Sequence, residues 1–224
     1  METPRTYGDA CGIARGLDLI GERWALLVVR ELLLGPRRFT DLRAGLPAAS
    51  PNVLSQRLRE LEHAGVVRRR KLAPPAGSWV YELTAWGAEL EPVVIGLGAW
   101  ALGAPATDSP DSPSADSPDS TASLSAVSAM LSLRTAFAAA NRAGRLRATY
   151  ELGFGEDRYT ARVTDGRMAV ARGSADQPDA VIETDPATFR AVLSGDRSLA
   201  ETTGSGTLRL TGDAGAVQRL LDAV

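Results

Sequence analysis

Residues 50–65, SPNVLSQRLRELEHAG, read as one helix of about four turns. Ser50 is a good N-cap, and Pro51 fits the first helical position, where a missing N–H costs nothing. Gly65 is a natural C-terminal stop. Leu54, Leu58 and Leu61 repeat at i, i+4, i+7 and form a narrow apolar stripe. The other side carries Asn52, Ser55, Gln56 and Arg59, whose side chains reach base edges or phosphates by hydrogen bonds. Such a helix suits DNA reading, and it equally suits an ordinary surface position. Its neighbours decide between the two.

Working upstream, residues 13–20 (IARGLDLI) give a short apolar-periodic helix. Residues 23–34 (RWALLVVRELLL) are too apolar for a surface helix and read as the centre of a small helical core, ended by Gly35 and Pro36. Arg37 and Arg38 stand beside Phe39. Thr40 caps a third helix, with Leu42 and Leu46 facing inward. Helix, short turn, polar-fronted helix is helix-turn-helix organisation.

Downstream, VVRRRKL (66–72) and WVYEL (79–83) flank a Pro/Gly turn and predict a hairpin. Its first arm holds Arg68, Arg69, Arg70 and Lys71. A basic hairpin directly after a recognition helix is a wing, with charges placed to follow phosphates. Thr84 then caps a last helix running to about residue 101. Its Leu90, Val94, Leu97 and Trp100 make a stripe longer than one small domain covers, so a partner subunit is expected on it. The four tryptophans read as core or interface packing, and His63 as solvated.

Composition bounds these readings. An apolar fraction of 44% suffices for a core. No run of about 18 apolar residues predicts a membrane span, and METPRTYGDACG has no secretory core. One cysteine excludes an internal disulfide framework. A cytoplasmic location is expected. Lys71 is the one lysine among 25 basic residues, which reads as genomic bias. Residues 1–104 hold 13 basic and 11 acidic side chains, 105–123 hold four Asp and no base, and 124–224 hold 12 of each. The first segment alone is net basic, and weakly so.

The segment from about residue 7 to 102 resembles the HxlR-type winged helix-turn-helix transcriptional regulators. The resemblance is carried by Cys11, GERWALLVVRELLLGPRRFTDLRAGL (21–46), SPNVLSQRLRELEHAGVVRR (50–69) and VYELTAWG (80–87). It implies a homodimer packed through its terminal helices on a pseudo-palindromic operator in double-stranded DNA. Carried over by position, Ser50, Asn52, Ser55, Gln56, Arg57 and Arg59 lie on the DNA-reading helix. Arg37 and Arg38 lie beside the backbone, and Arg68–Lys71 on the wing. Gln56 and Arg59 are expected at bases and Arg57 at a phosphate. In some proteins of this type a cysteine at the place of Cys11 senses oxidants or electrophiles. A helix start and Arg15 favour the thiolate, Asp9 opposes it, and a small packed cysteine is the plain alternative.

Residues 105–123, PATDSPDSPSADSPDSTAS, cannot bury an apolar face and predict a disordered linker of about 25 Å mean span. Beyond it the chain predicts an α+β domain over 124–224. A helix at 124–141 leads into strands of period two with Leu146, Ala148, Tyr150 and Leu152 on one face, and Asp165–Gly166 makes a hairpin turn. Asp185 caps a helix begun by Pro186, and Asp213 caps the last. A mostly antiparallel sheet with helices on one face is expected. This block, with PDAVIETDPATFRAVLSGDRSLAE (178–201) and GTLRLTGDAGAVQRLL (206–221), resembles the sterol-carrier-protein-like domains. That resemblance implies a cavity for a lipid-like or other hydrophobic molecule, with Tyr150, Met168, Phe189, Leu193 and Leu199 as candidate lining. A solid core is the alternative.

No phosphate loop or metal-ligand cluster is present in the sequence, and Cys11 and His63 lie far apart. Glu60 and Glu62 sit on different sides of their helix. Neither catalysis nor a cofactor or metal is expected. The expected protein is a dimeric DNA-binding regulator responding to a hydrophobic molecule. The alternative is a redox response at Cys11 with a structural C-terminal domain.

Overall fold

Helix starts in this chain are written locally, in caps and prolines. The computed structural model describes residues 6–73, 77–102, 124–140 and 146–224. The chain divides into two compact units, Met1–Val94 and Ile95–Val224. The linker expected at 105–123 lies outside the described residues, as does the tip of the hairpin at 74–76.

The first unit runs α1 (Gly12–Ile20), α2 (Ala25–Leu32), α3 (Phe39–Gly45), α4 (Pro51–His63), β1 (Val67–Lys71), β2 (Trp79–Leu83) and α5 (Ala85–Ala88), and enters α6 (Glu91–Leu102). Its core joins Val28, Val29 and Leu32 of α2, Leu42 and Leu46 around α3, and Leu54, Leu58 and Leu61 of α4. Each of these side chains is at most 3% exposed. Ser50 accepts the Val53 N–H at 3.3 Å and starts α4. At its far end Gly65 takes φ +73°, and Val66 N–H reaches back to the Leu61 carbonyl at 2.9 Å. This left-handed stop turns the chain straight into β1. Gly87 permits the next close approach, because a Cβ there would lie 2.0 Å from the Val66 carbonyl oxygen.

Three local expectations change. The second helix begins at Ala25, not Arg23, because Trp24 stands in the left-handed region at φ 78°. The cap of α3 is Arg38 rather than Thr40, with the Arg38 N–H donating to Asp41 Oδ2 at 3.1 Å. The helix expected from Thr84 onward is two helices. Thr84 does cap α5, accepting the Gly87 N–H at 2.9 Å. The break falls before Pro92, whose ring supplies no N–H to continue the ladder.

The second unit adds α7 (Ala126–Ala140), β3 (Ala148–Phe154), β4 (Asp157–Thr164), β5 (Arg167–Arg172), β6 (Ala180–Thr184), α8 (Pro186–Leu193), α9 (Leu199–Gly204), β7 (Arg209–Gly212) and α10 (Ala214–Leu221). The sheet order is β5-β4-β3-β6-β7. Asp165 and Gly166, at φ 50° and 74°, make the predicted tight turn between β4 and β5. The expected mostly antiparallel pairing has one exception: β6 runs parallel to β3, with Tyr150 opposite Ala180 and Leu152 opposite Ile182. The chain crosses from the edge strand β5 to the far side of β3. Asp179 secures the crossing, donating its N–H to the Thr149 carbonyl and accepting the Thr149 N–H on its carboxylate. Tyr150, Leu152, Tyr159, Ala161 and Ile182 form the buried face beneath the helices. The other face is polar, with Arg158 bridging Glu151 and Glu183.

Candidate nucleic-acid interface

In α4, Asn52, Gln56 and Arg59 follow the same i, i+4, i+7 spacing as Leu54, Leu58 and Leu61. The two stripes are offset by two residues, about 200° around the helix axis. Burying the leucines therefore drives the polar stripe outward, and all three of its residues are exposed. Arg59 makes no hydrogen bond or ion pair among the described residues, and Gln56 Nε2 donates to Glu60 at 3.0 Å. Ser55 is half-buried at the edge of the stripe.

Arg57 does something else. It directly precedes the buried Leu58 and borders the leucine stripe, so its side chain is only 11% exposed. It hydrogen-bonds Glu60 and lies 3.6 Å from Glu22. Arg57, expected at a phosphate, here ties α4 to the turn before α2.

Arg37 is half-buried because its backbone pairs with Tyr81 in both directions, N–H to carbonyl at 2.9 and 2.8 Å. This short third strand braces the wing against the start of α3. Arg38 and Thr40 are exposed beside it.

The hairpin sorts its four cations by the alternation of the strand. Arg68 and Arg70 leave one face and meet Glu82, each at 2.7 Å. Burial acts to raise the Glu82 carboxyl, but the hydrogen bonds and charges of Arg70 and Arg68 outweigh it and hold the group below its ordinary value. Arg69 leaves the other face and stacks over Trp79 at 4.6 Å and Tyr81 at 5.9 Å. Lys71, opposite Trp79, makes no ion pair among the described residues.

Apolar surface remains on the outer helices. Ile13 and Leu17 of α1 are 79% and 44% exposed, and Leu97 and Trp100 of α6 are 48% and 75% exposed. A pocket of about 220 Å³ lies beside α1, lined by Gly16, Leu19, Ile20, Val66, Trp86, Glu89 and Leu90. Cys11 occupies the N-cap of α1. Its sulfur is exposed and accepts the Ala14 N–H at 3.3 Å, while its own N–H donates to Asp9.

In the second unit, Tyr150 and Phe189 are fully enclosed and Met168 nearly so, while Leu193 and Leu199 are half-buried. Tyr150 donates its hydroxyl to the Ala216 carbonyl at 2.9 Å, and burial pushes its pKa up to about 12. The Phe189 ring meets Phe154 edge-on at 5.6 Å, and Phe154 tilts against Tyr159 at 6.1 Å. These rings fill the space between β3, β4 and α8.

Among the described residues no helix is long and apolar enough to cross a membrane, and no group of three or more His, Cys, Asp or Glu is placed to hold a metal.

Residues 19–106 match the family described as HxlR-like helix-turn-helix, and residues 127–223 match the SCP-2 sterol transfer family. The chain is 39% identical over 87 residues to the uncharacterized HTH-type transcriptional regulator YvaP of Bacillus subtilis, covering 39% of this chain and 81% of that one. It is 39% identical over 90 residues to the uncharacterized HTH-type transcriptional regulator sll1512 of Synechocystis, covering 40% and 67%. Among solved structures it is similar to the redox regulator HypR in its oxidized form, at 30% identity and a TM-score of 0.40, covering 43% and 100%. With its exposed polar stripe, braced hairpin and matched relatives, the chain belongs to the HxlR-like helix-turn-helix family of DNA-binding transcriptional regulators and carries an SCP-2 domain after it.

Proposed function

We propose that the protein binds an operator in double-stranded DNA as a homodimer in the cytoplasm, and that residues 124–224 form an effector domain for a hydrophobic small molecule, tethered through 105–123. The observation that carries the DNA reading is the stripe of Asn52, Gln56 and Arg59, held outward by the complete burial of Leu54, Leu58 and Leu61. Gln56 and Arg59 read base edges from the major groove. Asn52 and Ser50, at the helix start, approach the backbone with Arg38 and Thr40, and the wing follows the phosphates. One reading helix on a weakly basic unit binds poorly alone. The exposed Ile13 and Leu17 of α1 and, separately, the exposed Leu97 and Trp100 of α6 are apolar faces for a second subunit.

The effector reading rests on the apolar sheet face under α7, α8 and α10 and on the family match of this unit. Because the Phe154 ring packs against both Tyr159 and Phe189, a ligand in this space has to displace the Phe189 ring of α8. Leu193 and Leu199, half-buried on α8 and α9, are the candidate lining of that route. The test is a mobility shift on a duplex that the protein selects from random DNA, with and without a panel of fatty acids and sterols. Lipids that bind the protein but leave its DNA affinity unchanged rule out the coupling.

One observation favours a second reading. Cys11 is a free, solvent-exposed cysteine at the N-cap of α1, where an oxidant or electrophile in solution reaches it. In that reading an oxidant or electrophile acts at Cys11, and residues 124–224 are structural. A Cys11→Ser variant that keeps the full response of DNA binding to diamide excludes it.

A further inference from the structure

Glu82 makes the wing's least expected interaction. It stands opposite Arg68 in the β1–β2 register, with Arg70 two residues on along the same face. One carboxylate therefore serves two guanidinium groups. Oε1 accepts Arg68 Nε at 2.7 Å with Arg68 Nη2 also 2.7 Å away, and Oε2 accepts Arg70 Nε at 2.7 Å. The carboxylate side chain is 11% exposed, while the arginine side chains are 65% and 43% exposed. The acid is thus the inner anchor, and the guanidinium edges turned away from it face solvent. A guanidinium has five N–H donors in a fixed plane. Glu82 engages the Nε side of each, and the remaining donors meet no other protein acceptor among the described residues. Two planar cations fixed side by side, with a net charge of plus one for the three groups, form a receptor for a tetrahedral oxyanion.

We propose that Glu82 is a positioning residue that presets Arg68 and Arg70 as a seat for one backbone phosphate of bound DNA. This deepens the DNA-binding reading and rests on it. Arginines free to rotate on a wing lose rotamer freedom when they meet a phosphate. Arginines already held by Glu82 have lost it on folding, so binding is stronger despite the added negative charge. Simple charge counting gives the opposite sign: removing an acid from a DNA-binding surface strengthens attraction.

The experiment measures binding of the full chain, by fluorescence anisotropy over a range of salt, to a duplex that the wild-type protein selects from random DNA. Glu82→Gln removes one negative charge. The seat requires about tenfold weaker binding and a log–log salt slope shallower by about 0.9, because one phosphate fewer is neutralised. An Arg68→Lys/Arg70→Lys variant keeps every charge but removes the forks, and it shows the same weakening. Adding Glu82→Gln to Arg68→Ala/Arg70→Ala changes nothing further. Equal or tighter binding by Glu82→Gln overturns the proposal. Should Glu82→Gln fail to fold, the lysine pair decides, since unchanged affinity there also overturns it. A wild-type protein that selects no duplex overturns the DNA reading itself and the seat with it, whereas selection by wild type with an unaffected lysine pair removes the seat alone.

Discussion

Helices α4 and α8 begin alike and end in different uses. Ser50–Pro51 starts one and Asp185–Pro186 the other, each an N-cap followed by proline at the first helical position. Each then buries an apolar stripe, Leu54, Leu58 and Leu61 in α4 and Phe189 and Val192 in α8. The outward faces differ. In α4 the face opposite the core holds Asn52, Gln56 and Arg59; in α8 the exposed positions are Ala187 and Arg190. The same starting device and the same burial logic thus leave an exposed polar stripe in one unit and a plain cover for a sheet in the other. The proposed DNA contacts lie in the residues that packing leaves over.

The largest effects test the shared part of that comparison. Leu58→Ala and Phe189→Ala each remove a fully buried side chain and should each cost about 2–5 kcal/mol. Trp24, Trp79 and Trp86 lie in the first unit and Trp100 in the second. In a Trp100→Phe background, Leu58→Ala should therefore shift the urea transition seen by tryptophan fluorescence, while Phe189→Ala shifts the one seen by circular dichroism and leaves the fluorescence in place. A fluorescence shift of the same size with Phe189→Ala breaks the separation of the two units.

Next come the outward faces. Arg59→Ala should lose about 1–3 kcal/mol on the selected duplex and much less on random DNA. Arg190→Ala should change neither. Equal losses for Arg59→Ala on both duplexes would make it a phosphate contact. Arg57→Ala separates stability from reading on the same helix: it should lower the unfolding midpoint through its Glu22 and Glu60 contacts and spare base discrimination.

The smallest effects are at the caps. Ser50→Ala and Asp185→Ala should each cost about 1 kcal/mol at neutral pH, read by urea unfolding. Their pH dependence differs. Burial acts to raise the Asp185 carboxyl, but hydrogen bonds from the Thr188 hydroxyl and the Thr188 and Ala187 N–H groups hold it below its ordinary value of 3.8. A carboxyl depressed in the folded state stabilises above its unfolded pKa and loses that contribution as pH falls through the folded one. The Asp185→Ala deficit should thus close in acid, and the Ser50→Ala deficit should not. A pH-independent Asp185 deficit would show that the charge contributes nothing beyond the hydrogen bonds.

Caps, periods and turns were readable from the chain because each is settled within about four residues. Ser50, Thr84, Asp185 and the Asp165–Gly166 turn stand where their side chains and backbone freedom require. Thr40 misled because Asp41, one residue on, satisfies the Arg38 N–H and moves the cap back. Trp24 misled because no local pattern announces a tryptophan at positive φ.

The sequence by itself determined the two fold types, the reading helix with its opposed stripes, and the hairpin after it, since hydrophobic periodicity and capping are local properties. Tertiary structure alone decided which cations are available. Arg57 and Arg59 are two residues apart, yet Glu22, 35 positions upstream, engages the first and not the second. Arg68 and Arg70 are fixed by Glu82 across the hairpin while Lys71 is left to solvent. It also decided that β6 joins β3 in parallel. A charge finds its partner, and a strand its neighbour, through distances in space that no window of sequence contains.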